Sequence, residues 1–187
     1  MKKTRKDLEK FYSQLELPFL ETNNKFIKDI FQALELEYGL ERNSNQKFID
    51  LGSGNGSVVI YAALNYNIKS FGIEIDQNLK NEANNRILSL KKEGNYKKKV
   101  FKKIKIKLGD LFLLNLKDYD FIYIYSLPPM QKYLMHIFNT AKNGAIFISH
   151  KYQLEGFNSV LKDEYKLVHK KGNQKIYTYF YKKIISN

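Results

Sequence analysis

The sequence predicts an α/β fold: a mainly parallel sheet of seven strands with an antiparallel C-terminal edge strand. Three observations lead there. Short apolar runs alternate with helix-length amphipathic segments between residues 47 and 149. The first run ends in a glycine-rich turn that opens a helix. The last two runs, Tyr165 to His169 and Ile176 to Tyr181, have no helix-length segment between them and read as an antiparallel pair.

The elements follow in order. Thr4 to Tyr38 reads as helical, with apolar residues at three-and-four spacing (Phe26, Ile27, Ile30, Phe31, Leu34), broken in two by Pro18. Thr22 or Asn23 caps the second piece and Gly39 ends it. Lys47 to Leu51 is the first strand, Gly52 to Gly56 the turn, and Val58 to Leu64 the helix that packs back on the sheet. A strand at Lys69 to Ile73, ending in Glu74, and a helix at Asn78 to Leu90 form the next unit. A strand near Ile104 to Leu108 ends at Gly109-Asp110. Phe121 to Tyr125 is a strand, Gln131 to Ala141 a helix, and Ala145 to Ser149 a fifth strand after the turn at Asn143-Gly144.

Composition bounds the function. The chain of 187 residues suits one α/β domain with a sizeable core. Its apolar runs are too short to span a bilayer, and the charged start, Met1 to Lys10, lacks the features of a secretory signal. A cytoplasmic address is the expectation. With no cysteine there is no disulfide, thiolate metal site or cysteine nucleophile. The formal charge of +13 favours an anionic partner, and a basic surface leaves nucleic acid open as one. Twenty-nine of the 32 basic residues are Lys, however, with Arg only at 5, 42 and 86, so the guanidinium forks that read bases and phosphates are scarce. Residues 91 to 107 hold nine Lys and one Glu.

The most informative stretch is Asp50-Leu51-Gly52-Ser53-Gly54-Asn55-Gly56. Glycines after a strand let the backbone turn tightly and approach a ligand, which also meets the free N–H groups of the next helix. The dinucleotide fingerprint wants its third glycine at position six of the motif, where Ser57 stands. Asp50 beside the turn would repel a diphosphate. S-adenosylmethionine carries no phosphate and presents an ammonium and a sulfonium, which a carboxylate favours. Glu74, 18 residues beyond Gly56, is placed to accept ribose hydroxyls, and Asp110 to accept the adenine amine. Three carboxylates thus end three successive strands of a Rossmann-like sheet, where such sheets bind ligands.

Asp-Leu-Gly-Ser-Gly-Asn-Gly (50 to 56), Gly-Ile-Glu-Ile-Asp (72 to 76) and Gly-Asp-Leu-Phe (109 to 112) resemble the first three motifs of the class I, seven-strand S-adenosylmethionine-dependent methyltransferases. The resemblance covers about Lys47 to Ser149. It implies cofactor contacts from Asp50, Gly52, Ser53, Gly54, Gly56, Glu74, Ile75, Asp110 and Leu111, with no metal. A narrower resemblance reaches both ends. Leu17-Pro18-Phe19-Leu20-Glu21-Thr22, Pro128-Pro129-Met130, and Ile148-Ser149-His150-Lys151-Tyr152 with Gly156-Phe157 are similar to segments of the archaeal broad-specificity protein-lysine methyltransferases and their eukaryotic mitochondrial relatives. Glu21 and Pro129 depart from that pattern, standing where the family has a proline and a glutamine. This likeness implies one methyltransferase domain over residues 1–187, in which a helical extension (1–45) precedes the Rossmann-like core (46–187). Phe19 and Thr22 are then further cofactor contacts.

The implied reaction is methyl transfer to lysine ε-amines of a protein substrate. A free lysine has a pKa near 10.4, so only roughly one amine in two thousand is neutral at pH 7, and the site must favour the neutral form. Tyr125 and Ser126 are the candidate catalytic residues, orienting the amine, and Tyr125 and Pro128 the candidate substrate contacts. Two other functions stay open. A nucleic-acid methyltransferase fits the charge, but Ser126-Leu127-Pro128-Pro129-Met130 lacks the aromatic that follows Asp/Asn-Pro-Pro in adenine amino-methylation. A cofactor-binding scaffold without catalysis would need no acceptor at all. His136 reads as a packed or surface residue, and His169, beside Lys170 and Lys171, as a surface residue.

Overall fold

The computed structural model describes residues 19–185. Within them seven strands form one sheet in the order β3-β2-β1-β4-β5-β7-β6. The strands are β1 (Lys47–Leu51), β2 (Lys69–Glu74), β3 (Ile104–Leu108), β4 (Phe121–Ile124), β5 (Ile146–His150), β6 (Leu161–Lys171) and β7 (Gln174–Lys183). The first five run parallel. β7 lies antiparallel between β5 and β6, and β6 closes the edge.

Among the described residues five α-helices accompany the sheet: α1 (Asn24–Glu37), α2 (Ser57–Tyr66), α3 (Gln77–Glu93), α4 (Pro128–Gln131) and α5 (Met135–Phe138). Asn23 caps α1 by accepting from the Lys25 N–H at 2.9 Å. At its other end Gly39 turns left-handed (φ 67°) and the Leu40 N–H reaches back to the Leu34 carbonyl, satisfying an end group of the helix. The helix expected over residues 131–141 is instead two single turns, α4 and α5. The Tyr133 and Leu134 N–H groups bond to Met130 and Gln131, three residues back, so the chain tightens and breaks where the sequence pattern stays apolar. Among the described residues no helix is long and apolar enough to cross a membrane.

Alternation along the strands divides the core. Phe48, Phe121, Tyr123, Ile146 and Ile148 face α1 and α2, meeting Ile27, Ile30, Phe31 and Leu34. Ile49, Leu51, Ile122, Ile124 and Phe147 face the other way, against Met130, Leu134, Ile137 and Phe138. Each such fully buried side chain contributes about 1.5–3 kcal/mol by leaving water. Register then sets the functional end: Asp50 lies beside Gly72 and Tyr123, Leu51 beside Ile124, and Glu74 beside Leu108. The ends of β1, β2, β3 and β4 therefore open on one crevice.

Candidate cofactor and acceptor site

The turn after β1 is built by its glycines. Gly54 (φ 51°) and Gly56 (φ 77°) adopt left-handed backbone that side chains disfavour. A β-carbon on Gly56 would also come within 2.6 Å of Ile106 and 3.1 Å of the Ala83 β-carbon, because α3 and β3 press on the start of α2. The turn is held from β2: the Gly52 and Ser53 N–H groups both donate to the Ile73 carbonyl.

Glu74 is buried and organises the crevice. One oxygen accepts from the Gly54 N–H at 2.6 Å, and the other from the Ile75 and Asp76 N–H groups at 2.8 Å each. A carboxylate offers about four lone-pair sites, so three backbone donors leave room for one further donor. Asp110 caps the short turn Leu111–Leu113, accepting from the Phe112 N–H at 2.8 Å. Asp50 is buried, and desolvation together with the nearby Glu74 charge holds its carboxyl well above the usual range. It is a carboxyl that a cationic ligand would ionise.

These groups surround a cavity of about 320 Å³, within the usual range for small-ligand sites. Phe19, Gly52, Glu74, Ile75, Asp110, Leu111, Tyr125 and Ser126 line it. A smaller recess behind the turn is lined by Thr22, Asp50, Ser53 and Tyr123, and shares Phe19, Gly52 and Tyr125 with the main cavity. Gly54 lies beneath the Phe19 ring, Gly56 is the N-cap of α2, and Pro128 is exposed at the start of α4; none of the three lines either space. Not one lysine, arginine or histidine lines either space among the described residues, although the chain carries a charge of +13. This wall suits an ammonium and a sulfonium and repels a diphosphate.

The segment before α1 is strapped over the turn. Glu21 accepts from Asn55 Nδ2 at 2.9 Å and Ser57 Oγ at 2.8 Å, with the Arg86 guanidinium at 3.6 Å, and these partners hold its carboxyl below the usual range. The Thr22 and Tyr123 hydroxyls are bonded at 2.7 Å. The sequence reading missed Glu21, Asn55, Ser57 and Arg86, and also the apolar walls Leu79, Leu127 and Met130. The signal for Glu21 was its departure from the family's proline.

At the acceptor end, Tyr125 is half-buried. Burial raises its phenol above the ordinary value against the opposing pull of Lys151, so the hydroxyl stays protonated at neutral pH. Ser126 is buried, and its Oγ has no hydrogen-bond partner among the described residues. The His150 ring lies edge-on to Tyr125, centroids 5.0 Å apart. His150 Nδ1 pairs with Thr178 Oγ1 at 2.8 Å, and the same oxygen meets His169 Nε2 at 2.9 Å. His169 is therefore not a surface residue. Adjacent residues of a strand face opposite sides, so Lys170 says nothing of its neighbour, and His169 turns inward to Phe26 and Asp29 of α1. His136 is exposed, and its Nε2 pairs with the Phe112 carbonyl at 2.7 Å.

Known proteins agree with this architecture. An RNA methyltransferase from Salinibacter ruber, solved with S-adenosyl-L-homocysteine, is 24% identical with a TM-score of 0.68, covering 90% of this chain and 95% of its own. The magnesium protoporphyrin IX methyltransferase of Synechocystis PCC 6803, solved with its S-adenosylmethionine, is 14% identical with a TM-score of 0.63, covering 92% and 90%. These likenesses show the fold. No curated protein sequence matches the chain. Residues 50–161, more than half of the chain, match the ANTKMT methyltransferase domain, and the chain accordingly belongs to that family, as a class I methyltransferase whose cofactor is S-adenosyl-L-methionine.

Proposed function

We propose that the chain transfers methyl groups from S-adenosyl-L-methionine to lysine side chains of protein substrates. The observation that carries this reading is the sign of the cavity. Glu74, Asp76 and Asp110 line it, Asp50 stands in the adjoining recess, and among the described residues no lysine, arginine or histidine lines either space. A cationic cofactor and a lysine acceptor suit such a wall, whereas the phosphates of a nucleic-acid acceptor are repelled at its mouth. The family and the residues around Phe19 and His150 that resemble protein-lysine methyltransferases point the same way.

In this reading Asp50 and the turn 52–56 hold the methionyl end, Glu74 and Ile75 the ribose, and Asp110 and Leu111 the adenine. Phe19 and Thr22 close the strap above. Bound there, the cofactor supplies an electrophilic methyl group on a sulfonium. The chain's part is to present a neutral amine in line with it. Leu127 and Met130 strip water from the incoming ammonium and so favour loss of its proton to solvent. The Tyr125 hydroxyl and the unpartnered Ser126 Oγ then orient the nitrogen lone pair. Pro128, exposed beside them, meets the substrate backbone. The N–C bond forms as the S–C bond breaks, leaving S-adenosylhomocysteine and a methylated ammonium.

The test is incubation with methyl-labelled S-adenosylmethionine and nuclease-treated protein from the host, beside purified RNA. Acid hydrolysis should release the label as methyl-lysine. Label in RNA alone contradicts the lysine reading.

A further inference from the structure

The methyl-transfer cavity leaves the chain's main concentration of charge unused. Residues 91–107 carry nine Lys against one Glu, and so eight of the thirteen net charges. They lie on ordered elements: the end of α3, a short 3-10 helix (Lys98–Lys103) and β3. Among the described residues none of these nine ammonium groups pairs with a carboxylate. Desolvation, with the charges of Lys69 and Lys99, holds Lys103 below the ordinary lysine range.

A second cleft of about 290 Å³ opens in this face. Leu64 and Val100 give it apolar walls, Tyr96 an exposed aromatic ring, and Lys97 and Lys99 its charge. Asn67, also in the lining, holds a buried Oδ1 that has no hydrogen-bond partner among the described residues, while its Nδ2 donates to Asn43. An apolar slot, an aromatic face and flanking point charges match one nucleotide of a strand: the base stacks and its phosphates lie along the lysines. An acidic protein would use the charge but not the slot.

We propose that this cleft is a docking site for single-stranded nucleic acid, separate from the methyl-transfer site. Asn67 and Lys103 stand just before β2 and β3, whereas the cofactor cavity lies past the far ends of those strands. A six-residue strand spans roughly 20 Å, so a nucleotide held in the cleft is not itself at the methyl-transfer site. Lysines rather than arginines make the contact tolerant of sequence. The site does not depend on which acceptor is methylated.

Fluorescence anisotropy of the full chain with labelled oligouridylate and oligothymidylate tests it, with a polyglutamate peptide as the competing anion. Binding to one or both oligonucleotides should persist at physiological salt, and the preferred one identifies RNA or DNA as the source. Tyr96→Ala should weaken it about tenfold. Lys97→Ser with Lys99→Ser should reduce the slope of log affinity against log salt by about 1.4. Both variants should keep the wild-type thermal shift on S-adenosylhomocysteine, which shows that they fold. Absence of binding, polyglutamate binding as tight as the oligonucleotides, or an unaltered affinity in folded Tyr96→Ala overturns the proposal.

Discussion

The Phe19 ring lies directly over Gly54, so close that a β-carbon at position 54 would overlap its edge. The strap from Phe19 to Asn23 and the glycine turn are thereby one device, because the same ring lines both the main cavity and the recess. Gly54→Ala should push the ring aside and strain a backbone at φ 51°, costing on the order of 1 kcal/mol of stability. Calorimetry should show S-adenosylhomocysteine affinity lowered about tenfold, the equivalent of roughly 1.4 kcal/mol. Unaltered affinity would detach Phe19 from the cofactor.

Glu21 fastens that strap through Asn55, Ser57 and Arg86. The side chain is half exposed, so screening leaves the ion pair a small share and the two hydrogen bonds the larger one. Glu21→Ala should cost about 1 kcal/mol and speed dissociation of S-adenosylhomocysteine in stopped-flow measurements. Glu21→Gln, which keeps an acceptor, should recover part of the loss.

Asp50 predicts a trade between stability and binding. Burial and Glu74 raise its carboxyl well above 3.8. A carboxyl raised on folding stabilises below its unfolded value, and that stability is lost as pH rises through the folded one. At neutral pH Asp50 therefore works against the unliganded fold. Asp50→Asn should stabilise the free protein by on the order of 1 kcal/mol in urea unfolding and weaken cofactor binding about tenfold. A variant that binds as tightly as the wild type would remove Asp50 from the site.

The line Asp29–His169–Thr178–His150 ties α1 to three strands behind Tyr125. Thr178→Val leaves two buried ring nitrogens without their shared partner and should cost about 1–3 kcal/mol. Burial, with the charges of His169 and Lys151, pushes His150 down to about 3, and burial also lowers His169 against the pull of Asp29. The unfolded chain then binds protons that the native state refuses, so stability present above about pH 6.5 falls as pH drops toward 3. Urea midpoints of Asp50→Asn, which lacks the opposing titration of Asp50, should fall below pH 6.5; a flat profile between about pH 7 and pH 5 in that variant would contradict the neutral, buried pair.

Much of this was legible in the chain itself. The glycine turn, Glu74 and Asp110 are local signals, because each follows an apolar run and register brings strand ends together without further information. Asn23 and Gly39 marked the ends of α1 for the same reason. Contacts between distant segments were not legible. Glu21 meets Ser57 across 36 positions and Asp29 meets His169 across 140, and no periodicity encodes such pairs. His169 was misread from its lysine neighbours, and the run 131–141 was misread because apolar spacing does not show where i to i+3 bonds replace i to i+4.

The most direct measurement is the structure of the protein with S-adenosylhomocysteine. The account predicts the ribose against Glu74, the adenine beside Asp110, and the sulfur turned toward Tyr125 and Ser126 with open space between them for an amine. A ligand bound elsewhere, or a sulfur walled off from Tyr125 and Ser126, would contradict it.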